Sequence, residues 1–150
     1  MYIELQELFA HRQYVNHPIY YYFDRKTYTI VQVDKPNMKP NSNIGYYERY
    51  IPMFQVDNEK IEEAYVDSLN NPKLKKDFKE SHIDIAEYLI RNYSYYKADD
   101  WYDFYYNQVC KIAILWCKNN NIRYKWVKNV KYFDVKYINK VVDIVNKIIG

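Results

Sequence analysis

The sequence predicts an α+β fold, a small antiparallel sheet of three or four strands packed against a helical layer built around one central Trp-rich helix. Three observations carry that expectation. Two β-rich runs, Tyr20 to Phe23 and Tyr28 to Val33, flank the polar stretch Asp24-Arg25-Lys26-Thr27, which is the pattern of a hairpin. From Asp57 onward apolar residues recur at three and four instead of two, the helical period. A stretch from about 100 to 118 is apolar on two faces, the signature of a helix central to its domain.

The elements follow in order. Ile3, Leu5, Leu8 and Phe9 are spaced for a short helix over 3–12, and Pro18 ends the linker after it. The hairpin comes next, then a loop marked by Pro36, Asn37, Pro40, Asn41 and Ser42. A third strand is expected near 47–54, with Pro52 marking an edge or an end because it cannot donate to a ladder. Ile61, Ala64, Tyr65 and Leu69 define the apolar face of the first long helix. Asn71-Pro72 starts another, with Asn as cap and Pro at the first position. Ser81-His82-Ile83-Asp84 has the shape of a capping box with Asp in third place, ahead of a face built from Ile83, Ala86, Leu89, Ile90 and Tyr93. Asp99 and Asp100 put negative charge where a helix start favours it.

In the central helix Trp101, Phe104, Tyr105, Gln108, Ile112, Leu115 and Trp116 share one broad face, and Tyr106, Cys110, Ile114 and Cys117 the other. The expectation is that Trp101, Phe104, Ile112, Leu115 and Trp116 are buried together and that Gln108 is a buried polar group with a partner. Asn119 to Asn121 ends this helix. Ile122, Tyr124 and Trp126 alternate as in a strand. Asp134 caps a last amphipathic helix carrying Val135, Ile138, Val142, Val145 and Ile149, which could dock on the domain or form a homodimer.

Length and composition bound the function. One domain over 1–150 is expected, with 3–122 as its core and 123–150 as a basic extension. Two cysteines are too few for a disulfide framework, and two glycines are too few for a Gly-rich phosphate loop. No apolar run is long enough to span a membrane. Met1 to Ala10 contains Glu4 and Glu7 and no basic start, unlike a signal peptide, so the expected location is cytoplasmic. Tyrosine occurs 20 times. Phe, Tyr, Met, Ile, Asn and Lys together fill about half of the chain, while Gly, Ala, Arg and Pro are scarce. Those are the residues of AT-rich and GC-rich codons respectively, so the composition points to a low-GC bacterium or its phage, and explains Tyr without selection for contact.

Chemistry-bearing residues are few. His11, His17 and His82 have no metal-ligand spacing, and neither H-E-x-x-H nor paired C-x-x-C occurs. No metal site, catalytic residue or cofactor is expected. Cys110 and Cys117 lie two helical turns apart, about 10 Å at 1.5 Å per residue, too far for a disulfide. Glu59, Glu62, Glu63 and Asp67 fit a solvated helix face, and Asp99, Asp100 and Asp103 a helix start. A metal-dependent nuclease or other hydrolase would need such carboxylates gathered around a cation. The net charge of +3 is unevenly spread. Arg123, Lys125, Lys128, Lys131, Lys136, Lys140 and Lys147 outnumber Asp134 and Asp143 in the last 28 residues, and Tyr124, Trp126, Tyr132 and Tyr137 are interleaved. Cations for phosphates and rings for stacking are what single-strand binders use. The candidate nucleic-acid-binding residues are therefore Arg123, Lys125, Trp126, Lys128, Lys131 and Lys136.

The run Tyr22-Phe23-Asp24-Arg25-Lys26-Thr27-Tyr28-Thr29-Ile30-Val31 is similar to the strand–turn–strand Y-L-D-R-E-T-G-E-I-V of a family of small uncharacterised bacterial proteins. The likeness continues at Glu48-Arg49-Tyr50-Ile51-Pro52, at Ala64 to Leu74, at Trp101-Tyr102-Asp103-Phe104, and at Ile112 to Cys117 followed by Asn120-Asn121-Ile122. It covers 3–122, in order. The family's G-A-F-R-R-F-K segment has no counterpart here, where Ser81 to Tyr88 stands. The resemblance implies element order and bacterial origin, and brings no activity. The function expected from the sequence is a non-enzymatic binding or regulatory domain whose partner is another protein, one version being an inhibitor of a bacterial protein. The alternatives are a nucleic-acid binder acting through the C-terminal segment, and a hydrolase or nuclease.

Overall fold

The structure is a computed structural model that describes residues 1–38, 40, 49–81, 83–93 and 95–125. Its elements are β1 (Ile3–Glu4), α1 (Leu5–Ala10), β2 (Gln13–Tyr14), β3 (Tyr21–Asp24), β4 (Thr29–Gln32), β5 (Tyr50–Pro52), β6 (Gln55–Val56), α2 (Asn58–Ser68), α3 (Pro72–Ser81), α4 (Ile85–Asn92), α5 (Tyr95–Asn119) and β7 (Tyr124–Lys125). The fold is α+β. The chain divides into two compact units, Met1–Val56 with Val109–Gly150, and Asp57–Gln108.

The first unit contains an antiparallel three-stranded sheet in the order β4-β3-β5. Phe23 lies between Ile30 and Ile51, and Tyr22 between Val31 and Pro52. The expected hairpin is present, and among the described residues β5 is an edge strand, where Pro52 is tolerated. The third strand is shorter than expected. Residues 41–48 lie outside the described residues; the strand ends at Pro52, although the Met53 N–H still reaches the Tyr21 carbonyl at 3.2 Å, and Met53 and Phe54 are buried core. Among the described residues, two short parallel pairs, β1 with β7 and β2 with β6, complete the strands. Ile3 is thus in a strand and not in the first helix, because its N–H finds the carbonyl of Arg123 at 2.9 Å. Gln13 is buried and replaces missing backbone partners: its Oε1 accepts from the N–H groups of Tyr20 (2.7 Å) and Tyr21 (3.0 Å).

Leu5, Leu8, Phe9, Phe23 and Val56 form much of this core together with Val109, Cys110, Ala113, Ile114 and Cys117 of α5. That corrects the expected face of the central helix. Leu115 is 45% exposed, Phe104, Ile112 and Trp116 are half-buried, and Gln108 is half-buried rather than enclosed. Trp116 still touches the core, its ring meeting Phe23 at 6.0 Å and Phe54 at 5.8 Å between centroids. Both faces of α5 are apolar, so periodicity alone leaves its rotation open.

In the second unit, Asp57 caps α2 by accepting from the Lys60 N–H, and Asn71 caps α3 by accepting from Leu74 at 3.1 Å. The expected capping box at Ser81 is displaced. Ser81 is the last residue of α3, and Asp84 is itself the cap of α4, accepting from the Glu87 N–H at 2.9 Å. Glu87 then occupies the third position that a capping box assigns to an acid. On α2 the buried residues are Ile61, Tyr65 and Val66, with Ala64 exposed; on α4 they are Ile85 and Leu89, with Ile90 and Tyr93 exposed. The helix α5 starts at Tyr95, so Asp99 and Asp100 fall in its second turn and not at its start. Asp134 and the last helix fall outside the described residues, as does Trp126.

Candidate functional site

Arg123 and Lys125 are the two predicted nucleic-acid contacts within the described residues; Trp126, Lys128, Lys131 and Lys136 lie outside them. Both are exposed and flank Tyr124 in the short strand β7. Alternation along a strand puts their side chains on one side and Tyr124 on the other. Tyr124 is half-buried, and burial, with a smaller contribution from Cys117 and Cys110, raises its phenol above the ordinary range. The Lys125 Nζ sits 4.8 Å from the centre of the Tyr2 ring, which is itself exposed. An ammonium over an aromatic face is attracted by the ring quadrupole. The structure therefore brings together Arg123, Lys125 and Tyr2. Tyr2 could not be found from sequence, because its neighbour in space is more than 120 positions away and joins it only through the parallel pairing of β1 with β7.

A second group of exposed residues lies in the 57–108 unit. Tyr102 is 47% and Tyr106 37% exposed on consecutive turns of α5, while Ala98 and Trp101 on the same helix are buried. Tyr105 fixes the backbone between them. Its hydroxyl donates to the Asn58 Oδ1 at 2.7 Å, and its ring meets those of Trp101 at 5.7 Å and Tyr106 at 5.6 Å. Tyr106 thus stands on an anchored neighbour, and the pair presents amphipathic rings at low entropic cost. The sequence hid this pair, since Tyr106 reads as one more member of an apolar face.

The ionisable groups with displaced pKa values have structural causes. Two hydrogen bonds from Arg49 hold the Asp24 carboxyl at about 2, against the opposing effect of its burial. Burial pushes the thiols of Cys110 and Cys117 up to about 12, which keeps them protonated and unreactive. Both are free and buried, as expected. Of the two carboxylate groups, Glu59, Glu63, Asp67, Asp99 and Asp100 are exposed, and Asp67 pairs with Lys75 at 3.1 Å. Among the described residues no three His, Cys, Asp or Glu side chains are gathered to hold a metal ion. An open groove of about 200 Å³ lies between α2 and α3, lined by Glu63, Val66, Asp67, Lys75, Phe78 and Lys79. No helix in the described residues is long and apolar enough to cross a membrane.

No family model, curated protein or solved structure matches this chain.

Proposed function

We propose that this chain is a non-enzymatic binding or regulatory domain that engages another protein through Tyr102 and Tyr106. The observation that carries the reading is their exposure on successive turns of a helix whose adjacent Trp101 is buried and whose Tyr105 is hydrogen-bonded in place. Tyrosines of this kind are enriched in protein interfaces, where a rigid ring supplies area and the hydroxyl a hydrogen bond. The AT-rich composition and the resemblance of the hairpin and Trp helix to small bacterial proteins support a cytoplasmic protein of a low-GC bacterium or its phage. Inhibition of a bacterial protein is one form the activity would take.

The test is affinity capture from a low-GC bacterial lysate with the wild type and with Tyr102→Ala/Tyr106→Ala, after circular dichroism confirms that both fold. A protein retained in near-stoichiometric amount by the wild type should be lost by the double variant. Identical captured sets from the two would remove the tyrosine pair from the function.

A second reading, nucleic-acid binding, is favoured by one specific contact, the Lys125 ammonium over the exposed Tyr2 ring beside Arg123. Affinity for single-stranded DNA or RNA should then fall steeply with salt, and Lys125→Gln with Arg123→Gln should flatten the slope by about two phosphate contacts. Absence of binding at about 50 mM salt, where weak electrostatic binders still register, would remove this reading.

A further inference from the structure

Left-handed backbone singles out one residue. Among the described residues five other than glycine have positive φ: Asn16, Tyr28, Asn37, Asn70 and Asn121. Four of them are asparagine, which tolerates that region. Tyr28, with φ of 59°, carries a bulky side chain and no short polar group to bond its own backbone. A tyrosine in this conformation is strained, and such strain persists only where the surroundings hold it.

Three contacts hold Tyr28. Its N–H donates to the Asp24 carbonyl at 2.7 Å and closes the hairpin turn. Its ring meets that of the buried Phe23 edge-on, at 5.0 Å between centroids. Its hydroxyl oxygen accepts from the N–H of Arg123, 95 positions further along the chain. Glycine would remove the strain from the turn, but it would not reach Arg123.

The last contact bears on where β7 lies. Arg123 has both backbone groups occupied, the N–H by Tyr28 and the carbonyl by the Ile3 N–H at 2.9 Å. Both are occupied whatever course the chain takes after Lys125. The pairing of β7 with β1 begins one residue later, at Tyr124. The Tyr28 hydroxyl thus fills the place that a neighbouring strand's carbonyl takes in a longer ladder. The side chains of Arg123 and Lys125 are exposed on the strand fixed in this way.

We infer that Tyr28 is a strained latch, the positioning residue for Arg123 and, through β7, for Lys125. The bond to Arg123 offsets the strain of the left-handed turn, and the left-handed turn aims the hydroxyl at Arg123. By linkage each end stabilises the other to the same extent. Loosening the turn therefore loosens the cationic strand, and displacing the strand lets the turn relax toward negative φ. This hold is a property of the chain itself and stands whether or not the two cations meet a phosphate.

Two variants of the full chain cut the latch from opposite ends. Tyr28→Phe keeps the ring and removes the hydroxyl; Arg123→Pro removes the N–H and leaves Tyr28 in place. Each should raise the unfolding equilibrium constant in urea by about fivefold or more, the effect of one ordinary hydrogen bond. The double variant should fall short of the product of the two by about fivefold, because the bond is lost only once. NMR reads position at both ends. In Tyr28→Phe the Arg123 amide should lose its protection from exchange, and the Lys125 side-chain protons should lose part of the shift induced by the Tyr2 ring beneath them. In Arg123→Pro the three-bond coupling between the N–H and Hα of Tyr28 should move toward its value at negative φ. Additive losses in urea would overturn the inference. So would a Tyr28→Phe protein with unchanged Arg123 and Lys125 signals, or a folded Arg123→Pro protein with an unchanged Tyr28 coupling. If Arg123→Pro does not fold, the Arg123 and Lys125 signals of Tyr28→Phe decide alone.

Discussion

Arg49 grips the carboxylate of Asp24 at two points, Nε to Oδ1 at 2.9 Å and Nη2 to Oδ2 at 3.0 Å. Asp24 closes β3 and Arg49 precedes β5, so the pair joins the hairpin turn to the neighbouring strand. The Asp24 Oδ1 also accepts from the Lys26 N–H at 2.9 Å, which shapes the turn, and the guanidinium lies 4.8 Å from the Tyr50 ring centre. A two-point fork of this kind fixes direction as well as charge. Asp24 is buried while Arg49 keeps one side in water, so the carboxylate is the group for which loss of the partner costs most.

Acid should expose that dependence. The folded Asp24 pKa is about 2, below the ordinary 3.8. A carboxyl with a depressed folded pKa stabilises fully above its unfolded value and loses that stabilisation as pH falls through the folded one. The shift corresponds to about 2 kcal/mol. Urea unfolding at pH 7 should therefore find Asp24→Asn less stable than the wild type by about 2 kcal/mol. The difference should shrink between about pH 4 and pH 2, where the wild-type carboxyl also becomes neutral. A gap independent of pH would mean that Asn fails for reasons of packing, and that the ion pair is not what stabilises the turn.

The rotation of α5 gives a second comparison between adjacent residues. Ile114 is fully buried and Leu115 is 45% exposed. Ile114→Ala should cost about 2–5 kcal/mol, the range for emptying a core site. Leu115→Ala should stay within about 0.5 kcal/mol, as for most surface changes. Denaturant midpoints of the two variants decide it; equal losses would return Leu115 to the core.

That pair of residues also marks how far the sequence could be read. The hairpin from Tyr21 to Gln32, the cap at Asn71, and the end of α5 at Asn119 rest on neighbours within a few positions. Local pattern is sufficient for them. The face of α5 depends on which of two apolar arcs meets the core, and Gln108, the polar residue on the broad arc, does not decide between them, because a glutamine with a partner can be buried. Two contacts were invisible for a different reason. Gln13 binding the chain at Tyr20 and Tyr21, and Ile3 pairing beside Tyr124, are decided by tertiary placement of single polar groups or two-residue strands. Of the candidate site, the cationic character of Arg123 and Lys125 was legible, and the Tyr2 ring beneath Lys125 was not.

The Tyr65 hydroxyl offers a test of opposite sign. Its ring packs on Trp101 at 5.1 Å and on Phe104 at 5.3 Å. The hydroxyl oxygen is buried with no hydrogen-bond partner among the described residues. Burial, with a smaller contribution from Asp100, raises its pKa to about 12, so it is neutral at physiological pH. An unsatisfied buried hydroxyl costs about 1–3 kcal/mol. Tyr65→Phe keeps the ring and removes the cost, so thermal or urea unfolding should find it equal to the wild type or more stable by up to about 1 kcal/mol. A loss above about 1 kcal/mol would show that the hydroxyl has a partner, such as a buried water.

The end of α5 is closed by Asn121 in a left-handed conformation with φ of 55°. The N–H of Ile122 reaches the carbonyl of Cys117 at 2.8 Å, and that of Asn121 reaches Lys118 at 3.3 Å. This is the paired bonding of a Schellman motif, completed by burial of both Cys117 and Ile122. Glycine usually holds the left-handed place, but this chain has two glycines in all, Gly45 and Gly150. Asn16, Asn37 and Asn70 take the same conformation elsewhere, since Asn tolerates it best among the other residues. Asn121→Ala should therefore lose about 1 kcal/mol, the penalty of a left-handed Cβ without a local hydrogen bond. Asn121→Gly should stay close to the wild type, because relief at Cβ is offset by a more flexible unfolded chain. Urea midpoints order the three proteins. An alanine variant as stable as the wild type would mean that the helix end reshapes without cost. The consequence would reach β7, because this cap sets where Ile122 enters the core and hence where Arg123 and Lys125 leave it.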